Sequence, residues 1–261
     1  MMICYSGQDL ERWAAFSGDY NPVHFDDDVA RSVGMPGRIV HGMLAMLTMK
    51  DHVQLDQTGH SRVSFSIKKP MTIASQYKTT LNAGSLASHV YLTDIQEQKR
   101  YIRCKYKAIQ DDCFVDNDLK RHRVSEARLQ RKRDDFQAIF QDVHQAWSFY
   151  DALIFNEYMD SINQSTHSLA SALSELIPER VRPDSLEDAV VIHVFHDIRI
   201  HARLAGLVLK DLGRTPAVAY TVTPREVLGS DGALYVVLRF TCFFDEAPLL
   251  LIDMGLMVHT H

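Results

Sequence analysis

Apolar residues recur along the chain with two different periods, and the change from one to the other divides it into elements. Leu10, Trp13 and Ala14 share one face at helical spacing, and Ser6 with Asp9 three residues on forms a capping-box pattern, so a helix is predicted from Ser6. From Ile39 to Met49 the residues are apolar almost all round, which predicts a helix enclosed by protein. Pro36-Gly37 punctuates the preceding segment and sets the expected start of that helix between Gly37 and Ile39. The period then falls to two. Val63, Phe65 and Ile67 share a face, as do Ile102, Cys104, Tyr106 and Ala108, and weaker alternation runs over 76–83 and 87–96. The first half therefore reads as helix, turn, central helix and about four antiparallel strands.

Composition shifts between about 111 and 133, and a helical stretch over roughly 125–176, broken at least once, leads into a second set of strands. In the first of these, Val190, Ile192, Val194, His196, Ile198 and Ile200 alternate with His193, Asp197 and Arg199; later strands are predicted near 216–223, 233–244 and 249–259. Helix followed by antiparallel strands thus occurs twice. The expected organisation is two α+β units of one kind, residues 1–115 and 116–261, the second degenerate.

At 261 residues and 46% hydrophobic content the chain can bury a large core, and its net charge of −5 gives no general attraction to nucleic acid or to an anionic membrane. Cys4, Cys104, Cys113 and Cys242 lack the spacing of a disulfide framework or a zinc site. The start of the sequence has no signal-peptide apolar core, and the most apolar tract, 248–258, is interrupted by Asp253 and too short to span a bilayer. A reducing cytoplasm is the expected location.

Candidate chemistry concentrates in Phe16-Ser17-Gly18-Asp19-Tyr20-Asn21-Pro22-Val23-His24 and in Gly37-Arg38-Ile39-Val40-His41-Gly42-Met43. Pro22 fixes its own φ and pushes Asn21 towards extended geometry, so Asp19, Asn21 and His24 are expected to converge on one turn. A carboxylate and an imidazole within reach of one water molecule suit general acid/base work near neutral pH. A lone Asp-x-Asn-Pro is usually only a loop, but the five fixed positions of Gly-Asp-x-Asn-Pro-x-His arise by chance in a chain of this length with odds on the order of one in ten thousand.

This spacing, with His-Gly-Met downstream, resembles the MaoC-like dehydratases, the (R)-specific enoyl-CoA hydratase 2 group. The resemblance runs from about Ser6 to Ile109 and is strongest over Phe16 to Met49. It implies a hot-dog fold, here a double hot-dog in which two antiparallel sheets each wrap a central helix. It implies that Asp19 and His24 bind and activate the catalytic water, that Asn21 holds the arrangement, and that the amide of Gly42 polarises a thioester carbonyl. A backbone N–H at a helix start suits that last role independently. Lys68-Lys69-Pro70-Met71 sits where the family has a proline-containing strand end. The second half lacks the motif, so one active site per chain is expected. The better-known eukaryotic double arrangement carries its catalytic half second, whereas here it comes first.

The expected activity is reversible hydration of enoyl thioesters, or dehydration of (R)-3-hydroxyacyl thioesters, carried on coenzyme A or acyl carrier protein, without metal or cofactor. A hot-dog thioesterase and a non-catalytic acyl-thioester binding or scaffold subunit are the alternatives. No partner other than the substrate carrier is implied; a homodimer is compatible with the fold, although no residue argues for one. His193, His196, Asp197 and His201 form a rival, metal-binding constellation, but strand alternation places His193 and His201 on one face and His196 on the other, a poor chelate. The run Lys120, Arg121, Arg123, Arg128, Arg131, Lys132 and Arg133 reads first as a solvated helix face or linker, and second as a docking surface for an anionic carrier.

Overall fold

A computed structural model describes residues 2–110, 113–116, 119–164, 173, 189–212, 216–230 and 233–259. Strand β1 (Met2–Cys4) is followed by helix α1 (Gly7–Ser17), short α2 (Asp27–Ser32), α3 (Gly42–Lys50) and strands β2 (His60–Ile67), β3 (Gln76–Asn82), β4 (Ser88–Asp94) and β5 (Arg100–Ile109). The succession then repeats as β6 (His122–Val124), α4 (Glu126–Ile139), α5 (Ala146–Gln164), β7 (Val190–Ile200), short α6 (Ala202–Ala205), β8 (Val218–Ser230), β9 (Ala233–Phe244) and β10 (Ala247–His259).

Among the described residues the strands form one ten-stranded antiparallel sheet, ordered β1-β3-β4-β5-β2-β7-β10-β9-β8-β6. Read outward from its centre, each half has the same order: β2, β5, β4, β3, β1 on one side, and β7, β10, β9, β8, β6 on the other. The halves join where β2 pairs antiparallel with β7, from Ser61 opposite Ile200 to Ser66 opposite Phe195. This is a double hot-dog, with α3 and α5 as the two central helices.

Local sequence accounts for most elements. The Ser6 side chain accepts from the Asp9 amide while the Asp9 carboxylate accepts from the Ser6 amide at 2.8 Å, closing the expected capping box. Helix α3 buries Met43, Leu44, Ala45, Met46, Leu47 and Met49, in keeping with its unbroken apolar run. Its start differs from expectation. Residues 39–41 are extended rather than helical, because Ile39 bridges to Thr72 and the Val40 amide donates to the Met71 carbonyl at 2.7 Å, so the helix begins only at Gly42. The helical stretch expected over 125–176 is broken into α4 and α5, and beyond Gln164 it lies outside the described residues apart from Leu173, a buried helical residue.

The basic run is mostly neither solvated nor free. The Arg128 guanidinium pairs with Glu157 and Asp160 of α5, and Arg121 with Asp116 and Glu246. Lys132 is buried and donates to the Phe16 carbonyl at 2.7 Å, a cation at the C-terminal end of α1, where the helix dipole favours one. The four cations of α4, Arg128, Arg131, Lys132 and Arg133, look like a water-facing stripe in sequence; here acidic partners on α5 draw Arg128 inward and a C-terminal carbonyl of α1 draws Lys132.

Candidate functional site

Helix α1 ends at Gly18, whose left-handed φ of 76° makes it the helix C-cap. A side chain there would be strained by that φ, and its Cβ would come within 2.9 Å of the Asp160 carboxylate on α5. The chain then turns through Asp19 and Asn21 into a single 3₁₀ turn, Pro22–His24, with proline at its first position and the Asn21 side chain accepting from the Val23 amide at 3.3 Å. Asn21 also donates through Nδ2 to the Val191 carbonyl on β7 at 2.7 Å, and Asn163 of α5 donates to the Gly18 carbonyl at 3.0 Å. The turn is therefore clamped from the second half of the chain.

Asp19 and His24 face each other, with Oδ2 and Nε2 3.9 Å apart, a gap that one bridging water can span. The His24 Nδ1 lies 2.9 Å from the Ile39 carbonyl, which only accepts, so the ring proton sits on Nδ1 and the Nε2 lone pair faces the carboxylate. Burial raises the Asp19 carboxyl above its ordinary range, with His24 and the Asn21 amide opposing the rise; burial lowers His24, with Asp19 and the Ile39 carbonyl opposing the fall.

His41 stacks on His24 with ring centroids 3.7 Å apart and 29° between planes, and its Nε2 bonds the Asp19 carbonyl at 3.1 Å. Burial, and next the His24 ring, keep His41 well below the usual histidine value, so both rings are neutral near pH 7. Asp19, His24 and His41 each bring a potential ligand atom within 4.8 Å of the others. Stacked rings, however, direct their in-plane lone pairs side by side rather than to a common point, a poor arrangement for chelating one ion.

Gly42 opens α3 directly after His41, which provides no side-chain cap, so the first-turn amides have no capping side chain. A Cβ on Gly42 would meet Ile67 Cδ1 at 2.9 Å and His193 Cβ at 3.3 Å, so the close approach of β2 and β7 fits glycine. Asp19, Asn21, His24 and Gly42 line one cavity of about 270 Å³. Its walls are mainly apolar, with Met35, Ile39, Met43, Ile67 and Met71 from the first half and Phe155, Val191 and Leu256 from the second; Lys68 and Lys69 also line it. All four residues singled out in the sequence thus meet at one cavity.

The histidine constellation disperses. His196 is fully buried and bonds Asp151 through Nε2 at 2.8 Å; Asp197 pairs with Arg62 and Ser64; His201 caps α6 and lies 4.4 Å from the His60 ring. His193 enters the cavity, an outcome alternation did not foresee. Val194 is an extra residue in the β7–β10 ladder: Phe195 faces Gly255 while His193 faces Leu256. The bulge reverses the side-chain parity, so the His193 and His196 rings lie 5.1 Å apart instead of on opposite faces. His41 was also missed as a member of the site, although it stands inside the His-Gly-Met stretch.

Residues 3–69 match the family model described as a MaoC like domain. Over that segment the chain is similar to the MaoC-like family. A 40-residue stretch is 48% identical to the mitochondrial 3-hydroxyacyl-[acyl-carrier-protein] dehydratase of Arabidopsis thaliana; it covers 15% of this chain, and the match spans about a quarter (24%) of that relative's length. The whole fold is similar to that of a MaoC domain protein from Chloroflexus aurantiacus, at 9% identity over 100% of this chain and 94% of that one, with a TM-score of 0.50. The dehydratase domain of PpsC from Mycobacterium tuberculosis, solved in complex with C12:1-CoA, matches over 85% of each chain at 10% identity and a TM-score of 0.44. Among the described residues no helix is long and apolar enough to cross a membrane.

Proposed function

We propose that the chain catalyses reversible hydration of enoyl thioesters to (R)-3-hydroxyacyl thioesters, carried on coenzyme A or acyl carrier protein, at a site built by residues 1–115 and completed by residues 116–261. The observation that carries this reading is the pairing of Asp19 Oδ2 with the bare Nε2 of His24 across 3.9 Å, in an apolar cavity that also holds the uncapped start of α3. The matched MaoC-like domain and the dehydratase relative support it.

In the hydration direction a water bound between Asp19 and His24 attacks carbon 3 of the conjugated thioester. The displaced π electrons move towards the carbonyl oxygen, where the Gly42 amide and the positive end of α3 stabilise the charge. One water proton passes to the Asp19–His24 pair and is returned to carbon 2, the other remains on the new hydroxyl, and no atom is left over. Burial raises the carboxyl and lowers the imidazole, so their basicities converge and the pair can hold the proton in either direction of the reaction. Asn21, tied to Val191, keeps the turn in register with the second half.

Incubation with crotonyl-CoA tests this. Loss of the conjugated enoyl absorbance is expected, and Asp19→Asn and His24→Gln should each slow it by at least about a hundredfold. That loss should come without free thiol; release of free thiol alongside it would make the protein a thioesterase instead, and absence of both reactions would favour a binding subunit.

A further inference from the structure

The cavity has one polar wall group from the second half whose hydrogen-bonding capacity is visibly half used. His193 Nε2 lies 2.9 Å from the Phe195 carbonyl on its own strand. A carbonyl only accepts, so the proton is on Nε2 and Nδ1 presents a bare lone pair. No described residue donates to that nitrogen. It sits 3.4 Å from the point where a Gly42 Cβ would be, at the head of α3 and beside Ile67. Burial, and next His196, hold the ring down to about 3, so it stays neutral at physiological pH. The position is set by the Val194 bulge, which turns His193 into the cavity and packs its ring edge-on against His196.

A lone pair there repels a carbonyl oxygen and attracts a donor. With the thioester oxygen placed on the Gly42 amide, and the 3-hydroxyl or water on Asp19 and His24, the remaining donor near the sulfur is the amide N–H of a pantetheine-type arm, two methylenes beyond it. We infer that His193 accepts a hydrogen bond from that arm amide, so that the second half of the chain reads the carrier arm while the first half performs the chemistry. This rests on reading the cavity as an acyl-thioester site.

The test uses the full chain and two crotonyl thioesters, one of N-acetylcysteamine and one of ethanethiol, which has no amide, with the matching butyryl thioesters as unreactive ligands for calorimetry. His193→Leu should raise KM and Kd for the cysteamine thioesters about tenfold, the loss of one neutral hydrogen bond, with kcat within about twofold and the ethanethiol pair unchanged. His193→Asn, whose Oδ1 stands near the place of Nδ1, should stay within about threefold of the wild type on both. Equal losses on the two thioesters, a loss confined to kcat, or no loss at all would overturn the assignment. Should the wild type bind butyryl thioesters yet hydrate neither crotonyl compound, the hydratase reading fails, and the Kd values still decide the role of His193. Failure of the wild type to bind either thioester overturns both.

Discussion

Asp19 and His24 are displaced from their ordinary titration ranges in opposite directions, which fixes where activity should fail. Catalysis of the proposed kind needs the carboxylate ionised and the imidazole neutral. Burial raises Asp19 above the ordinary carboxylate value and drops His24 below the ordinary histidine value, so the acid limb of kcat/KM should have its midpoint above the ordinary carboxylate value of ~3.9. Neither group supplies a basic limb. A pH–rate profile with its acid midpoint at or below that value would show that another group controls the reaction. The residues that carry this prediction were legible because they are local: Gly18, Asp19, Asn21, Pro22 and His24 fall within one turn, and turn chemistry acts between near neighbours. His193 was not legible. Its approach to Gly42 depends on one extra residue in a strand 151 positions further on (193 minus 42), a feature that no hydrophobic pattern around Val194 announces.

Elements were read well where their periodicity is unbroken, as in β2 and β5, and less well where tertiary pairing competes with local preference. Ile39 and Val40 look helical but are held by Thr72 and Met71. The sequence also concealed what anchors α3 at its other end. Lys50, fully buried, forms an ion pair with Asp151 of α5, and Asp151 bonds His196 of β7, so one charged cluster ties both central helices to the sheet junction. Burial alone would raise the Asp151 carboxyl, but His196 and Lys50 outweigh it and hold the group well below the usual carboxylate range. A depressed carboxyl stabilises the fold above the unfolded value of ~3.9, and that contribution disappears only as the pH falls through the lower folded value. Lys50→Met should leave a buried carboxylate short of a partner, cost about 3–5 kcal/mol, and move acid unfolding to higher pH. Adding Asp151→Leu should recover part of the loss. Chemical denaturation of both variants decides; an unchanged midpoint for Lys50→Met would mean that the pair contributes nothing to the anchoring.

At the scale of the whole molecule, repetition of helix and strands was visible in sequence, but the dependence of the first half on the second was not. Contacts across the halves fall on residues with no shared motif: Val191 receives Asn21, Asn163 holds the Gly18 carbonyl, Lys132 caps α1, and Phe155, Val191, His193 and Leu256 complete the cavity wall. Separating the proposed units at 115/116 should therefore abolish activity even though the whole Gly-Asp-x-Asn-Pro-x-His sequence stays in the first fragment. That fragment would also expose the β2 edge now paired with β7, along which Val63 and Phe65 are fully buried in the intact chain. An unpaired apolar edge favours self-association, so residues 1–115 alone should elute as dimers or larger species with no measurable enoyl hydration. Co-expression with residues 116–261 should restore a one-to-one complex and at least part of the turnover. A monomeric 1–115 fragment with wild-type turnover would show that the second half is dispensable, and would remove the reason for treating the two halves as one site.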